Sequence, residues 1–158
     1  FRDDQLEKLV PLVQERTERL IDLAPLAGYL IGDRRPVVPG DFAHKDLRED
    51  DAKRILQFVL WWLDEVREWE RETLHAGVQR LAGAMGFKIR DFLFPLFVAI
   101  SGQPVSLPLY DSMEVLGADL TRMRIRDAIE VLGGVSKKLA KKWEKEFRDL
   151  VDAPTDAA

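Results

Sequence analysis

The sequence predicts an all-α chain, and three observations carry that prediction. Apolar residues recur at three- and four-residue spacing along most of the length, the period of a helix with one buried face. Glycines and prolines fall mainly between those stretches, where they punctuate rather than interrupt. The one run that is apolar almost all round, residues 89–100, is long for a strand and has no partner strand elsewhere. At 158 residues, with 46% hydrophobic and 33% charged, the chain suits one domain or two small, closely packed lobes with solvated helix faces.

The elements follow in order. Leu6, Leu9, Val10 and Val13 form a first stripe, which Pro11 strains or interrupts. A second helix over about 19–31 carries Leu20, Leu23, Ala27 and Leu30 and ends at Gly32-Asp33. Residues 32–44, with Pro36, Pro39 and Gly40, give the one clear linker signal. Asp46, with Glu49 three positions later, reads as an N-cap opening a long helix to about Trp69. Ile55, Val59, Trp62, Val66 and Trp69 lie on one face of it. A helix over about 70–85 stops at Gly86, a residue suited to a left-handed end. Residues 89–100 should form the most buried helix. Residues 101–108, with Gly102, Pro104 and Pro108, must be a loop. Short helices over 109–116 and 119–132 stop at Gly117 and at Gly133-Gly134. Ser136 caps a last helix with Leu139, Trp143, Phe147 and Leu150 on one side and Lys137, Lys138, Lys141, Lys142 and Lys145 on the other. The expected core centres on Trp62, Trp69, Phe92, Leu96 and Leu116.

Composition narrows the function. There is no cysteine, so disulfide and thiolate chemistry are excluded. With only His44 and His75, a zinc site would need carboxylates to complete it, and no metal is expected. No apolar run approaches the ~20 residues of a membrane span, and no signal peptide opens the chain, so a cytoplasmic protein is the default. The chain starts at Phe1 in what reads as mid-helix, which suggests a piece of a longer protein. Catalytic parts are missing: no glycine-rich phosphate loop, no histidines at metal spacing, no nucleophile beside a base. Ser136-Lys137-Lys138 reads as a helix cap, and Asp50-Asp51 and Asp64-Glu65 as solvated faces. The net charge of −4 argues mildly against nucleic acid, but the distribution is uneven, with nine Lys or Arg between residues 122 and 148.

Three segments resemble a known family. Arg16 sits in PLVQERTERLIDLAPLAGYL, where one helix passes through an arginine turn into the next. Trp69 and LAGAMGFKIRDFLFPLFVAISGQPVSLPLYDSMEVLG supply a Gly-aliphatic-Lys corner, a Pro-Leu helix, a Ser-Gly turn, a Pro/Ser loop and a Leu-aromatic helix ending in Leu-Gly. Arg122, Arg124 and Arg126 follow as a basic helix. In order and spacing these resemble the C-terminal anticodon-binding region of bacterial-type glutamyl-tRNA synthetases, class I aminoacyl-tRNA synthetases, over about residues 9–132. The resemblance implies a helical anticodon-binding region in two packed lobes. Residues 1–45 would be the end of a first lobe with its Pro/Gly linker, 46–152 the second lobe, and 153–158 a disordered tail.

What the resemblance implies for function is recognition of the anticodon loop of glutamate tRNA, whose splayed bases are the part of an RNA most open to sequence reading. The chain would lack catalytic residues and cofactors of its own. ATP and magnesium would belong to an upstream catalytic domain of a glutamate–tRNA ligase, with neither membrane nor DNA as partner. Arg16 would read the third anticodon base, cytosine in glutamate tRNA and guanine in glutamine tRNA. Arginine is donor-only, and cytosine offers it two acceptors. Ser106, Leu107 and Leu109 match the loop that contacts the other anticodon bases, and Gln79, Phe94 and Phe97 stand at further contact positions. Phe94 and Phe97 depart from the polar or basic residues usual there, and two readings stand: rings that stack on bases, or core residues. Arg122, Arg126, Lys138 and Lys142 are candidates for phosphate contacts, against the plainer reading of a solvated face. An alternative from another class is a helical protein-interaction module docking a partner through Trp61 and Trp62.

Overall fold

The longest apolar stripe in the described part of the chain becomes its central helix. The computed structural model describes residues 28–30, 32, 34–104 and 107–153. Helix α1, Glu49–Glu65, buries Ala52, Ile55, Leu56, Phe58, Val59, Leu60 and Leu63. Around it stand α2, Arg71–Met85, α3, Ile89–Ser101, α4, Leu109–Leu116, α5, Ala118–Val131, and α6, Lys137–Asp152. A 3-10 turn, Pro39–Phe42, precedes α1. No strand occurs among the described residues beyond an isolated bridge between His44 and Leu47. The first apolar stripe and most of the second expected helix lie outside the described residues, although residues 28–30 are helical.

One core serves the whole described region. Helix α1 packs on α3, α5 and α6, α2 packs on α3, α4 and α6, and α5 also touches α3 and α4. Phe92 and Leu96 of α3 are fully buried and Leu116 nearly so, as expected of the core, whereas Trp62 and Trp69 pack half-buried at its edge. The sequence expectations hold for the ends of α2, α3 and α4, where Gly86, Gly102 and Gly117 all adopt positive φ. Ser136 also caps α6 as expected, its Oγ accepting from the Leu139 amide at 3.1 Å.

The first long helix differs from expectation at both ends. Asp46 is not its cap. The His44–Leu47 bridge places Asp46 in a tight turn, where its amide donates to His44 Nδ1 at 3.1 Å. The helix starts at Glu49, with the Asp51 carboxylate accepting from the Arg48 amide at 3.1 Å. It ends at Glu65 rather than near Trp69, because Trp69 serves a different helix: its indole Nε1 donates to the Met113 carbonyl at 2.7 Å. Just beyond, the Arg71 amide donates to Glu114 Oε2 at 2.7 Å, so a side chain of α4 satisfies an orphan donor at the start of α2. Apolar spacing alone cannot see such a break, since Val66 and Trp69 keep the helical period while the chain crosses between helices.

Trp61 and Trp62 face inward. Trp61 packs against Phe58 and Phe147 at ring-centroid distances of 5.9 and 5.7 Å. Trp62 lies over Gly77 of α2 so closely that a Cβ there would sit 1.8 Å from the ring. The surface on which a partner-docking reading rested is thus occupied by the chain's own packing.

Two consequences are measurable by urea denaturation. Phe92→Ala and Leu96→Ala should each cost about 3 kcal/mol through lost burial and the cavity left behind. Losses below about 1 kcal/mol at both positions would show that α3 is not central. Gly77→Ala should destabilise by about 1–3 kcal/mol despite alanine's better helix propensity, because the added methyl displaces the Trp62 ring. A neutral or stabilising result there would show that the ring swings aside freely.

Candidate nucleic-acid interface

The segment between α3 and α4 is fixed at both ends by local chemistry. At its start Gly102 turns the chain at φ 77°, and a Cβ on it would lie 3.0 Å from Arg35 Cγ. Ser101 Oγ donates to the Phe97 carbonyl at 2.7 Å and accepts from the Gln103 amide at 3.3 Å. At its far end Leu107 and Leu109 are 0% and 3% exposed. Ser112 Oγ donates to the Pro108 carbonyl at 2.8 Å, which leaves the Tyr29 hydroxyl to donate to Ser112 Oγ at 2.7 Å.

Leu107 and Leu109, expected in a loop that contacts anticodon bases, turn their side chains into the core. Two leucines flanking a proline plug the core and hold the loop down, so only backbone groups at these positions can face a ligand. Ser106 and Arg16 lie outside the described residues. Phe94 and Phe97 are half-buried against the core, and Phe94 also contacts the His44 ring with centroids 4.7 Å apart. Packing accounts for most of each ring.

Arg124, one of the three arginines of the basic helix, is turned inward. It is 3% exposed and reads carbonyls rather than phosphates. Its Nη1 donates to Ile100 O at 2.8 Å, and its Nη2 to Tyr29 O at 2.8 Å and Gly32 O at 3.0 Å. Arg122 is held by Asp119 at 3.1 Å and Asp64 at 3.8 Å, which neutralise it locally. Arg126, Lys138 and Lys142 are exposed. Beside Arg124, Arg34 donates to the carbonyls of Arg35 and Arg124. Burial lowers the Arg34 pKa, with Asp127 opposing that shift and Arg35 reinforcing it. Asp41 anchors the same stretch: its carboxyl is held below the ordinary range first by the Val38 amide and then by Arg35.

Gln79 lies in a group that sequence reasoning did not assemble. It is exposed on α2, with Nε2 3.5 Å from the Tyr110 hydroxyl, and one turn earlier His75 stacks on the Tyr110 ring at 4.7 Å and 27°. Burial raises the Tyr110 pKa, and the contact with Gln79 opposes that. The available signal was the four-residue spacing of His75 and Gln79, which places both on one helix face. His44, Asp46 and Asp91 also come together, but the geometry does not suit a cation. His44 Nδ1 accepts the Asp46 amide, so the ring proton of the neutral imidazole sits on Nε2 facing Asp91 at 3.8 Å, leaving no lone pair for a metal.

The described ends of the segment between α3 and α4 are held by the core, and the polar-aromatic group of His75, Gln79 and Tyr110 lies on α2 and α4. The family model for the anticodon binding domain matches residues 1–129. The chain belongs to that family. It is similar to the glutamate–tRNA ligases of Marinobacter nauticus, at 47% identity over 150 residues, and of Saccharophagus degradans, at 45% over 150 residues. The glutamate–tRNA ligase of Stutzerimonas stutzeri is 43% identical over 150 residues. Each match covers 95% of this chain but about 30% of the relative, so the chain spans roughly a third of the length of the ligases it matches. No helix among the described residues is long and apolar enough to cross a membrane.

The buried guanidinium of this anticodon binding domain gives a direct test. Arg124→Met should destabilise the chain by about 3 kcal/mol, because buried carbonyls lose charged donors and find no substitute. Arg124→Lys should lose roughly half as much, since an ammonium keeps the charge but not the planar fork. A loss below about 1 kcal/mol for the methionine variant in urea melts would show that water replaces the donor.

Proposed function

We propose that this chain binds the anticodon loop of glutamate tRNA and holds that tRNA for ATP-dependent glutamylation by a separate catalytic domain of the same ligase. The observation that carries the proposal is the family match over residues 1–129, joined to near-full-length similarity with glutamate–tRNA ligases. The fold supports it in a specific way. The described ends of the segment between α3 and α4 are anchored by buried side chains, which leaves backbone groups there to meet splayed bases, a mode of reading that single-stranded RNA permits. Gln79 with the half-exposed Tyr110 extends the polar ledge beside it. ATP and magnesium belong to the catalytic domain in this reading, and the chain alone is inactive.

Arg16 is the residue on which base discrimination turns in this proposal, as the resemblance of its segment implies. Arg16→Gln should weaken binding of glutamate tRNA by about 1–3 kcal/mol, the usual cost of losing a good base-edge contact. It should also narrow the preference for glutamate over glutamine tRNA, because an amide can present either a donor or an acceptor. A phosphate contact would instead weaken both tRNAs equally and lower the salt slope by about one unit. Binding curves for both tRNAs at several salt concentrations separate these outcomes. An unchanged ratio removes Arg16 as the base reader.

A further inference from the structure

Helix α6 carries a charge pattern that the fold does not explain. Its apolar side is fully engaged: Trp143 and Phe147 are buried, and both ring systems pack edge-on to Phe58 of α1. Two charges on its side toward α1 are paired as well, Glu146 with Arg54 at 3.2 Å and Arg148 with Glu65 at 2.6 Å. The outward side of its first half is different. Lys137, Lys138, Lys141, Lys142 and Lys145 are all exposed, and none is ion-paired to a described residue. Lys137, Lys141 and Lys145 are four residues apart and form a row about 12 Å long, with Lys138 and Lys142 as a second row beside it. Glu144 is the one acid between residues 137 and 145.

The position of this ridge has an energetic cost. Every other α-helix among the described residues has an acid in its first turn: Glu49, Glu72, Asp91, Asp111 and Asp119 in α1 to α5. Helix α6 has none there and has Lys137 and Lys138 instead. The backbone N–H groups at that end carry partial positive charge, so cations there oppose the macrodipole. In a chain of net charge −4, a concentrated block of unpaired lysine is therefore a local exception that costs stability.

We infer that the lysine ridge of α6 binds the phosphate backbone of RNA by charge alone, as a second surface separate from the loop between α3 and α4. The inference rests on the RNA-binding reading proposed above. Exposed ammonium groups in two rows suit a polyanion, and each phosphate neutralised releases condensed counterions. An anionic bilayer fits less well. A membrane-surface helix inserts its apolar face, and the apolar face of α6 is already buried in the core. The ridge contributes affinity and encounter rate, while base identity is read elsewhere.

The test replaces all five lysines by alanine in the full chain and measures binding to glutamate tRNA and to an RNA hairpin of unrelated sequence, from 50 to 300 mM salt. The expected result is a fall of about 3–4 units in the slope of log affinity against log salt, equal for both RNAs, with the preference for glutamate tRNA retained. Thermal unfolding should rise by about 2–4 °C, because the first-turn cations are removed and alanine favours the helix. If the fivefold variant loses helical circular dichroism, K138A/K142A serves instead, with an expected fall of about 1–2 units. A fivefold lysine-to-arginine variant should keep the slope. An unchanged slope in the alanine variant, while wild type still selects glutamate tRNA, overturns the ridge and leaves the anticodon reading standing. Absence of any tRNA binding by wild type at low salt overturns both. Lysine-dependent binding to phosphatidylserine vesicles but not to the hairpin overturns the assignment to RNA.

Discussion

A helix end buried without hydrogen-bond partners is among the least tolerable features of a folded chain, and this fold brings two such ends together. The last turn of α3 and the backbone at Tyr29 and Gly32 both offer carbonyls to Arg124, which supplies the donors from the middle of α5. An arginine is suited to that place because its planar fork offers several donors in fixed directions and never loses its charge. The three carbonyls lie far from Arg124 in sequence, so one guanidinium ties the segment before the linker to the helical body behind it. The Tyr29 hydroxyl, bonded to Ser112, repeats the link one layer away.

That clamp also decides what the loop between α3 and α4 can present. With α3 pinned at Ile100 and α4 plugged in by Leu107 and Leu109, the loop has little freedom at either end. In the proposed anticodon reading, recognition there falls to backbone groups and to neighbouring side chains such as Gln79 and Tyr110. The rings of Phe94 and Phe97, on α3, are likewise mostly taken up by packing against the core, Phe94 also against His44.

The sequence revealed the helices and concealed the crossings. Gly86, Gly102 and Gly117 marked three helix ends because a positive φ has few other occupants, and the alternation of Leu139, Trp143 and Phe147 with lysines marked α6. The end of α1 was invisible, since Val66 and Trp69 keep the helical period although the Trp69 indole leaves to reach Met113. Arg124 read as one of three similar arginines, because periodicity on a short helix does not distinguish a guanidinium facing solvent from one facing carbonyls. At the candidate site the burial of Leu107 and Leu109 was not legible, since a leucine beside a proline looks the same in sequence whether it faces solvent or a core. The pairing of His75 with Tyr110 required knowing that α2 and α4 are neighbours, which is a property of topology.

The hydrogen bond from Trp69 to Met113 has an optical consequence. The indole is half-buried and its N–H is fixed to the backbone of α4, so its emission depends on the position of the helix that carries the candidate loop. Trp61 and Trp143 sit in a separate aromatic cluster with Phe58 and Phe147, between α1 and α6. Trp62, over Gly77 of α2, belongs to neither environment, so with phenylalanine at Trp62 the molecule holds two intrinsic fluorophore groups, one beside the loop and one beside the lysine-bearing helix. With phenylalanine in place of the tryptophans of one group, the emission of the other records occupancy of its own surface, without a label on protein or RNA.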